Sequence, residues 1–136
     1  MPTLYSLIHD HVLSAQKIDR EELGVYSSPA VADRVRQWAA ALPGFDEQPD
    51  NFAVLSFRLD DDAGGGPVPD VCFSLCYDDG TPKTLGVYST AIKAAEALVC
   101  RLQEPAYADH PSCFSILSHT IDVTAQTEGY AMPTGV

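Results

Sequence analysis

Basic residues are scarce in this sequence. It has 8 Lys and Arg against 19 Asp and Glu, and its formal net charge is −11. A field of this sign repels phosphate backbones, which argues against nucleic-acid binding, whereas it attracts a basic partner. No apolar run approaches the ~20 residues of a membrane span, and residues 1–5 lack the basic and apolar regions of a secretory signal. We therefore expect a cytoplasmic protein without a membrane contact.

Familiar catalytic and ligand-binding motifs are missing as well. There is no Gly-x-Ser-x-Gly, and the glycines at 64–66 neither open a helix nor precede the lysine of a phosphate-binding loop. The acidic run from Asp60 has Val71 where a calcium-binding loop needs its last glutamate. We therefore predict a protein that is not an enzyme, with no catalytic residues, no cofactor and no metal.

The chain contains an internal sequence repeat. Residues 23–28, Leu-Gly-Val-Tyr-Ser-Ser, return about 62 residues later as Leu-Gly-Val-Tyr-Ser-Thr. A period of this length indicates an internal duplication, and half of this chain is at the lower edge of what buries a core alone. The two copies are therefore expected to share one core. The other residues that return at the same offset are Pro43, Pro49, Phe52, Ser56 and Asp60, which become Pro105, Pro111, Phe114, Ser118 and Asp122.

Each half reads as strand, strand, helix, strand. Strands are predicted at 4–12 and 72–77, at both Gly-Val-Tyr-Ser segments, and at 52–60 and 114–122. Helices are predicted at 31–42, with Trp38 on the apolar face, and at 91–102. The fold class is α+β: two pseudo-symmetric repeats with about six antiparallel strands and two helices, whose sheets join either edge to edge or face to face.

The domain organisation follows from the repeat. We assign residues 1–62 to the first repeat and 71–130 to the second, as one shared globular unit. Residues 63–70, rich in Gly and Pro, form a linker, and residues 131–136 form a tail.

The cysteines are predicted to be free thiols without zinc. All of them lie in the second half, and their spacing is not that of a zinc site. Cys72, Cys76 and Cys100 replace apolar residues of the first half, so we expect buried apolar positions. A Cys113 nucleophile with His110 or His119 as its base lacks a third member.

The histidines are open to two interpretations. His9 and His11 share one face of the first strand and could form two ligands of a metal site. Because no third ligand has a defined place, an exposed edge or rim position is favoured. His119 replaces Phe57 in the repeat, so its ring is predicted to face the core with a hydrogen bond.

The order of the motifs resembles a small uncharacterised bacterial domain family, usually met as a single copy. The likeness is carried by Gly-Val-Tyr-Ser-Ser, Leu-Pro-Gly-Phe at 42–45, and Glu-Gly-Tyr at 128–130. The second copy departs from it at Pro105-Ala106-Tyr107. Small acidic proteins of this sort also resemble the immunity partners of bacterial polymorphic toxins.

Two functions remain open. The favoured one is a non-enzymatic, acidic protein-binding module, an immunity protein that blocks the active site of a cognate toxin domain with a basic surface. The alternative is a small-molecule- or metal-binding enzyme with a site between the repeats. We expect a monomer or weak homodimer. The predicted partner-binding residues are Asp60, Asp61, Asp62, Asp78 and Asp79.

Overall fold

The two halves of the chain form the same elements in the same order. The structure, a computed structural model, describes residues 3–60, 67–124, 127, 129 and 130. Both helices and both third strands keep the offset of the sequence repeat, which confirms the strand, strand, helix, strand unit. The elements are β1 (Thr3–Ser14), β2 (Lys17–Tyr26), α1 (Pro29–Ala39), β3 (Phe52–Arg58), β4 (Val71–Asp78), β5 (Pro82–Tyr88), α2 (Ala91–Arg101) and β6 (Phe114–Thr120).

Each repeat folds as a three-stranded antiparallel sheet with its first strand in the centre. β1 lies between β2 and β3, and β4 lies between β5 and β6. Tyr5 pairs with Tyr26 in the first sheet, as Phe73 pairs with Tyr88 in the second. The predicted α+β class is therefore confirmed, with six strands in two similar sheets and two helices.

The two sheets pack face to face, and each helix covers the outer face of its own sheet. Because side chains alternate along a strand, Leu4 of β1 lies between the sheets, whereas Leu7 lies under α1. In the second repeat, Leu75 packs likewise on α2. The core between the sheets consists of Leu4, Val25, Leu59, Cys72 and Val87, with Phe57 and Ile121 packed against it.

Reciprocal backbone contacts join the sheets at one end. The N–H of Asp60 donates to the carbonyl of Val87 at 2.8 Å, and the N–H of Asp122 donates to the carbonyl of Val25 at 2.9 Å. The third strand of each repeat thus ends on the second strand of the other repeat. The sheets form a flattened barrel with this closed end, and both hairpins turn at the opposite, open end.

The repeated Leu-Gly-Val-Tyr-Ser motif encodes a β-bulge that leads into this closure. In each hairpin the register shifts beside the glycine of the motif. An added Cβ at Gly24 would lie 2.6 Å from the hydroxyl of Tyr26, and one at Gly86 would lie 2.5 Å from the hydroxyl of Tyr88. The tyrosine rings lie over these glycines, so a larger residue does not fit at either position.

Both helices begin at a capping residue, since Ser28 and Thr90 each accept a hydrogen bond from an N–H three residues on. The expectation that Trp38 packs in the core is wrong, because its side chain is 47% exposed. The next residue, Ala39, faces the core. Because neighbouring residues lie ~100° apart around a helix, Trp38 points away from it. Cys100, the counterpart of Trp38 in α2, is exposed as well. Among the described residues, no helix is long and apolar enough to cross a membrane.

The C-terminal segment breaks the symmetry of the repeats. The N–H of Tyr130 donates to the carbonyl of Pro43 at 2.9 Å, and the ring joins the core under α1. Gly44, with φ of 84°, admits this segment, because an added Cβ would lie 2.2 Å from the carbonyl oxygen of Tyr130. Ala106 in the second repeat departs from the Leu-Pro-Gly-Phe motif because the returning segment packs on the first repeat.

Candidate functional site

Three of the five predicted partner-binding aspartates lie within the described residues, and all three are in, or flank, turns of the chain. Asp61 and Asp62 lie outside the described residues. Asp78 and Asp79 are exposed in the β4–β5 turn, where Asp78 accepts a backbone hydrogen bond of its own turn at 2.9 Å. Asp79 lies 3.9 Å from the Nζ of Lys83, and both side chains are about half exposed. The carboxylates of this turn are accessible to a partner.

Asp60 instead links the two repeats. Its Oδ1 accepts from the N–H of Ser89 at 2.7 Å, and its Oδ2 accepts from the Oγ of Ser89 at 2.7 Å and from the Nζ of Lys93 at 3.1 Å. Asp122 accepts from the N–H and Oγ of Ser27 at 2.8 and 2.7 Å in the same way. Burial alone would raise the pKa of Asp60, but the hydrogen bonds outweigh it and hold that pKa below its ordinary value. We name these two contacts the aspartate clasps.

Exposed carboxylates surround the open end of the barrel. Phe52 pairs with His9 and Phe114 pairs with Tyr77, so the loops that enter β3 and β6 lie beside the hairpin turns. Lys17, Lys83 and Arg101 lie at the same end and offset part of the charge. We name the exposed acids of these loops and of the β4–β5 turn the acidic rim: Asp46, Glu47, Asp50, Asp78, Asp79, Glu104 and Asp109.

A cleft of about 200 Å³ lies between the sheets. Residues from all six strands line it, in pairs related by the repeat. Across its mouth the Nη1 of Arg20 donates to the carbonyl of Pro82 at 3.0 Å, while its Nε and Nη2 bind the two carboxylate oxygens of Asp10 at 2.7 and 2.9 Å. The main pairs of the wall are Ile8 with Cys76, Glu22 with Thr84, and Leu55 with Leu117.

Glu22 is the carboxylate among the residues that line the cleft. Its carboxylate accepts a hydrogen bond from the Oγ of Ser6, and its Oε1 lies 3.0 Å from the Nε2 of His119. The side chains of Glu22 and His119 are 19% and 18% exposed. His119 thus faces the interior, as predicted, with a carboxylate as its neighbour, but its buried Nε2 makes no hydrogen bond of good geometry among the described residues. The hydroxyl of Ser74, the counterpart of Ser6, is buried and has no hydrogen-bond partner among the described residues.

The cysteines differ in environment. Cys72 is buried between the sheets, Cys76 lines the cleft, and Cys100 is exposed, so the expectation of a buried Cys100 is wrong. Burial and then the carboxylate of Glu22 raise the pKa of Cys72 to about 11, and the same two causes raise the pKa of Cys76. Because the thiolate is the reactive form, Cys76 is not an activated nucleophile. Within the part of the chain that the structure describes, no cluster of three metal-ligating side chains occurs.

His9 and His11 are buried, which overturns the expected edge or rim position. β1 is a central strand, and its helix-facing side packs against the loop that follows α1. The Nε2 of His9 donates to the carbonyl of Gln48 at 2.9 Å, and burial lowers the pKa of His9. The ring of His11 stacks on that of Tyr130 at 4.0 Å. The hydroxyl of Tyr130 donates to Asp19 at 2.9 Å, and burial followed by this contact raises the pKa of Tyr130 to about 12.

Comparisons with protein families, with curated proteins and with solved structures give no match. The geometry therefore carries the functional argument alone. Sequence reasoning missed the cleft residue Glu22. An available signal was its place directly before the Leu-Gly-Val-Tyr motif, at an inward position that Thr84 takes in the second copy.

Proposed function

We propose that this protein is a non-enzymatic protein-binding module of the immunity type, which binds a cognate bacterial toxin domain and blocks its basic active site. The acidic rim is the observation that carries the proposal. It gathers exposed carboxylates from three separate loops and turns at one end of the barrel. Such a surface steers a basic partner toward this end and disfavours an acidic one.

In this proposal, the accessible aspartates of the acidic rim are the residues that contact the toxin. Asp78 and Asp79 project from a hairpin turn in which Gly80 takes a positive φ of 128°. Asp60 serves in an aspartate clasp, so its substitution acts first on folding. The proposal therefore rests on Asp78 and Asp79 for recognition.

The test is co-expression with the product of the adjacent reading frame. If that product is toxic and this protein is its antidote, growth is restored and the two proteins form a stable complex. The double variant Asp78→Lys with Asp79→Lys should slow association about tenfold or more at low salt and flatten its salt dependence, because rim charges act mainly on the on-rate.

Glu96→Lys is the control for net charge, and it is matched to the single variant Asp79→Lys, because each reverses one charge. Glu96 is exposed on α2, away from the rim, so reversing its charge tests the effect of net charge alone. We expect the association rate of this variant to stay within about twofold of the wild type. Equal slowing in both variants would refute recognition by the rim, and a harmless neighbouring protein that does not bind would refute the immunity function.

A further inference from the structure

We propose that the cleft between the sheets is a binding site for an alkylammonium group, whose cation pairs with Glu22 and whose alkyl chain lies against Ile8, Leu55 and Leu117. This site goes beyond the proposed immunity function and does not depend on it. It also assigns a ligand class to the cleft between the repeats, for which the sequence indicated only a small molecule or a metal.

Charge is the first argument for a cation. A carboxylate has about four acceptor positions. Ser6 occupies one position of Glu22, and His119 stands near another. Glu22 also lines the cleft, so a ligand there can reach its carboxylate. The nearest cationic partner of this largely buried carboxylate is His119, which is charged only when protonated. With a neutral His119 the buried charge is costly, and an arriving cation with N–H donors compensates it.

The other charged groups near the mouth are already paired. Arg20 is held by both oxygens of Asp10, and its remaining contact is the carbonyl of Pro82. Lys83 is 55% exposed and lies beside Asp79. The negative potential of Glu22 therefore dominates the interior of the cleft. Consistent with this, Glu22 adds to burial in raising the pKa of both Cys72 and Cys76.

Shape and wall chemistry specify the rest of the ligand. A cleft of about 200 Å³ has the volume of roughly six or seven water molecules at about 30 Å³ each. Its aliphatic wall favours an alkyl chain, since apolar surface is best covered by apolar groups. An alkylammonium of about four carbons meets these requirements. It is also the chemistry of a lysine side chain, so a free amine and a lysine of a partner protein are the two possible sources.

The experiment uses three matched probes on the full chain: n-butylammonium, n-butanol and butyrate. Backbone amide shifts are followed by NMR at pH 8 during titration. We expect butylammonium to shift the amides of Cys76, Thr84 and Leu117 and to bind at least tenfold tighter than butyrate. Glu22→Gln should weaken butylammonium binding about tenfold and leave butanol binding unchanged. Glu96→Gln, with the same charge change on α2, should alter neither.

A second variant covers the case in which Glu22→Gln does not fold, which the NMR spectrum itself reveals. Leu55 is 36% exposed at the cleft wall, so Leu55→Trp can fill the cleft while Glu22 stays in place. This variant should lose both butylammonium and butanol binding. Butyrate binding as tightly as butylammonium, or unchanged butylammonium binding in folded Glu22→Gln, would overturn the proposal.

The source of the cation is decided with Nα-acetyl-lysine methylamide and its Nζ-acetylated form. Binding of the first but not the second assigns the cleft to a lysine side chain of a partner. Binding of butylammonium without the lysine amide assigns it to a free amine. These titrations need no toxin. The ammonium site can therefore be refuted while recognition by the acidic rim is confirmed, and recognition by the rim can be refuted while the ammonium site is confirmed.

Discussion

Removing the carboxylate of Asp60 should lower the free energy of unfolding, because this side chain joins the two repeats. Asp60→Ala deletes the acceptors of Ser89 and Lys93 and puts alanine at a φ of 61°. Asp60→Asn keeps one acceptor for the N–H of Ser89, and asparagine tolerates this left-handed conformation. The two substitutions therefore separate the loss of the clasp from the loss of charge.

The magnitude follows from these contacts. A hydrogen bond to a charged group contributes about 1.5–3 kcal/mol, and a left-handed conformation costs alanine about 1–2 kcal/mol. Water replaces part of the lost bonding, because Ser89 is only half-buried and the Asp60 side chain is 16% exposed. We expect a loss of about 3 kcal/mol for Asp60→Ala and about 1 kcal/mol for Asp60→Asn.

The assay is urea unfolding at pH 7, with the midpoint and slope measured for each variant. Asp122→Ala should cost less than Asp60→Ala, because Asp122 is exposed and its clasp has two hydrogen bonds from Ser27 and no lysine. Asp79→Ala, in the open turn, should stay within about 0.5 kcal/mol of the wild type. The reasoning fails if Asp60→Ala behaves like Asp79→Ala, or if Asp60→Asn costs as much as Asp60→Ala.

Two further predictions concern the first repeat. Because burial lowers the pKa of His9 in the folded protein, the unfolded chain takes up the proton first, so stability is full above the ordinary pKa of 6.5 and falls at lower pH by at most about 1.4 kcal/mol per pH unit. Urea midpoints at pH 5 and 7 measure this loss, which should be smaller in His9→Phe; an equal loss in both proteins would contradict it. Gly44→Ala should destabilise by about 2 kcal/mol more than Gly80→Ala, because both glycines have positive φ but only Gly44 has a neighbouring atom within 4 Å. Thermal unfolding of the two variants tests this, and equal losses would remove the close approach of the C-terminal segment as the cause.

The repeat allowed most of the secondary structure to be predicted from sequence. Local signals fix these elements: a capping Ser28 or Thr90 starts each helix, and the turn around Gly80 ends β4. The face of a residue on a helix was harder to predict. Trp38 fits an apolar stripe by spacing, yet α1 presents small residues to its sheet, so the large indole remains at the border of the stripe.

The partners of the functional side chains depend on contacts between distant parts of the chain. The burial of His9 and His11 requires β1 to be central and the C-terminal Tyr130 to cover it, and neither fact is encoded near the histidines. The cleft is a similar case. From the sequence, Glu22 resembles any other surface acid. Strand pairing within the first sheet places it beside Ser6, and the face-to-face packing of the sheets brings His119 to it.

The return of Tyr130 to the first repeat has a consequence for folding during synthesis. Its hydroxyl binds Asp19, which lies 111 residues earlier in the chain. At about 5–20 residues per second, roughly 5–20 s separate the synthesis of these two residues. The aromatic contacts of the second repeat join Tyr77, Tyr107 and Phe114, which are closer in sequence, so this cluster needs a shorter delay. The half that leaves the ribosome first is therefore the last to complete its core, and it keeps an unfinished apolar surface while the remainder is made.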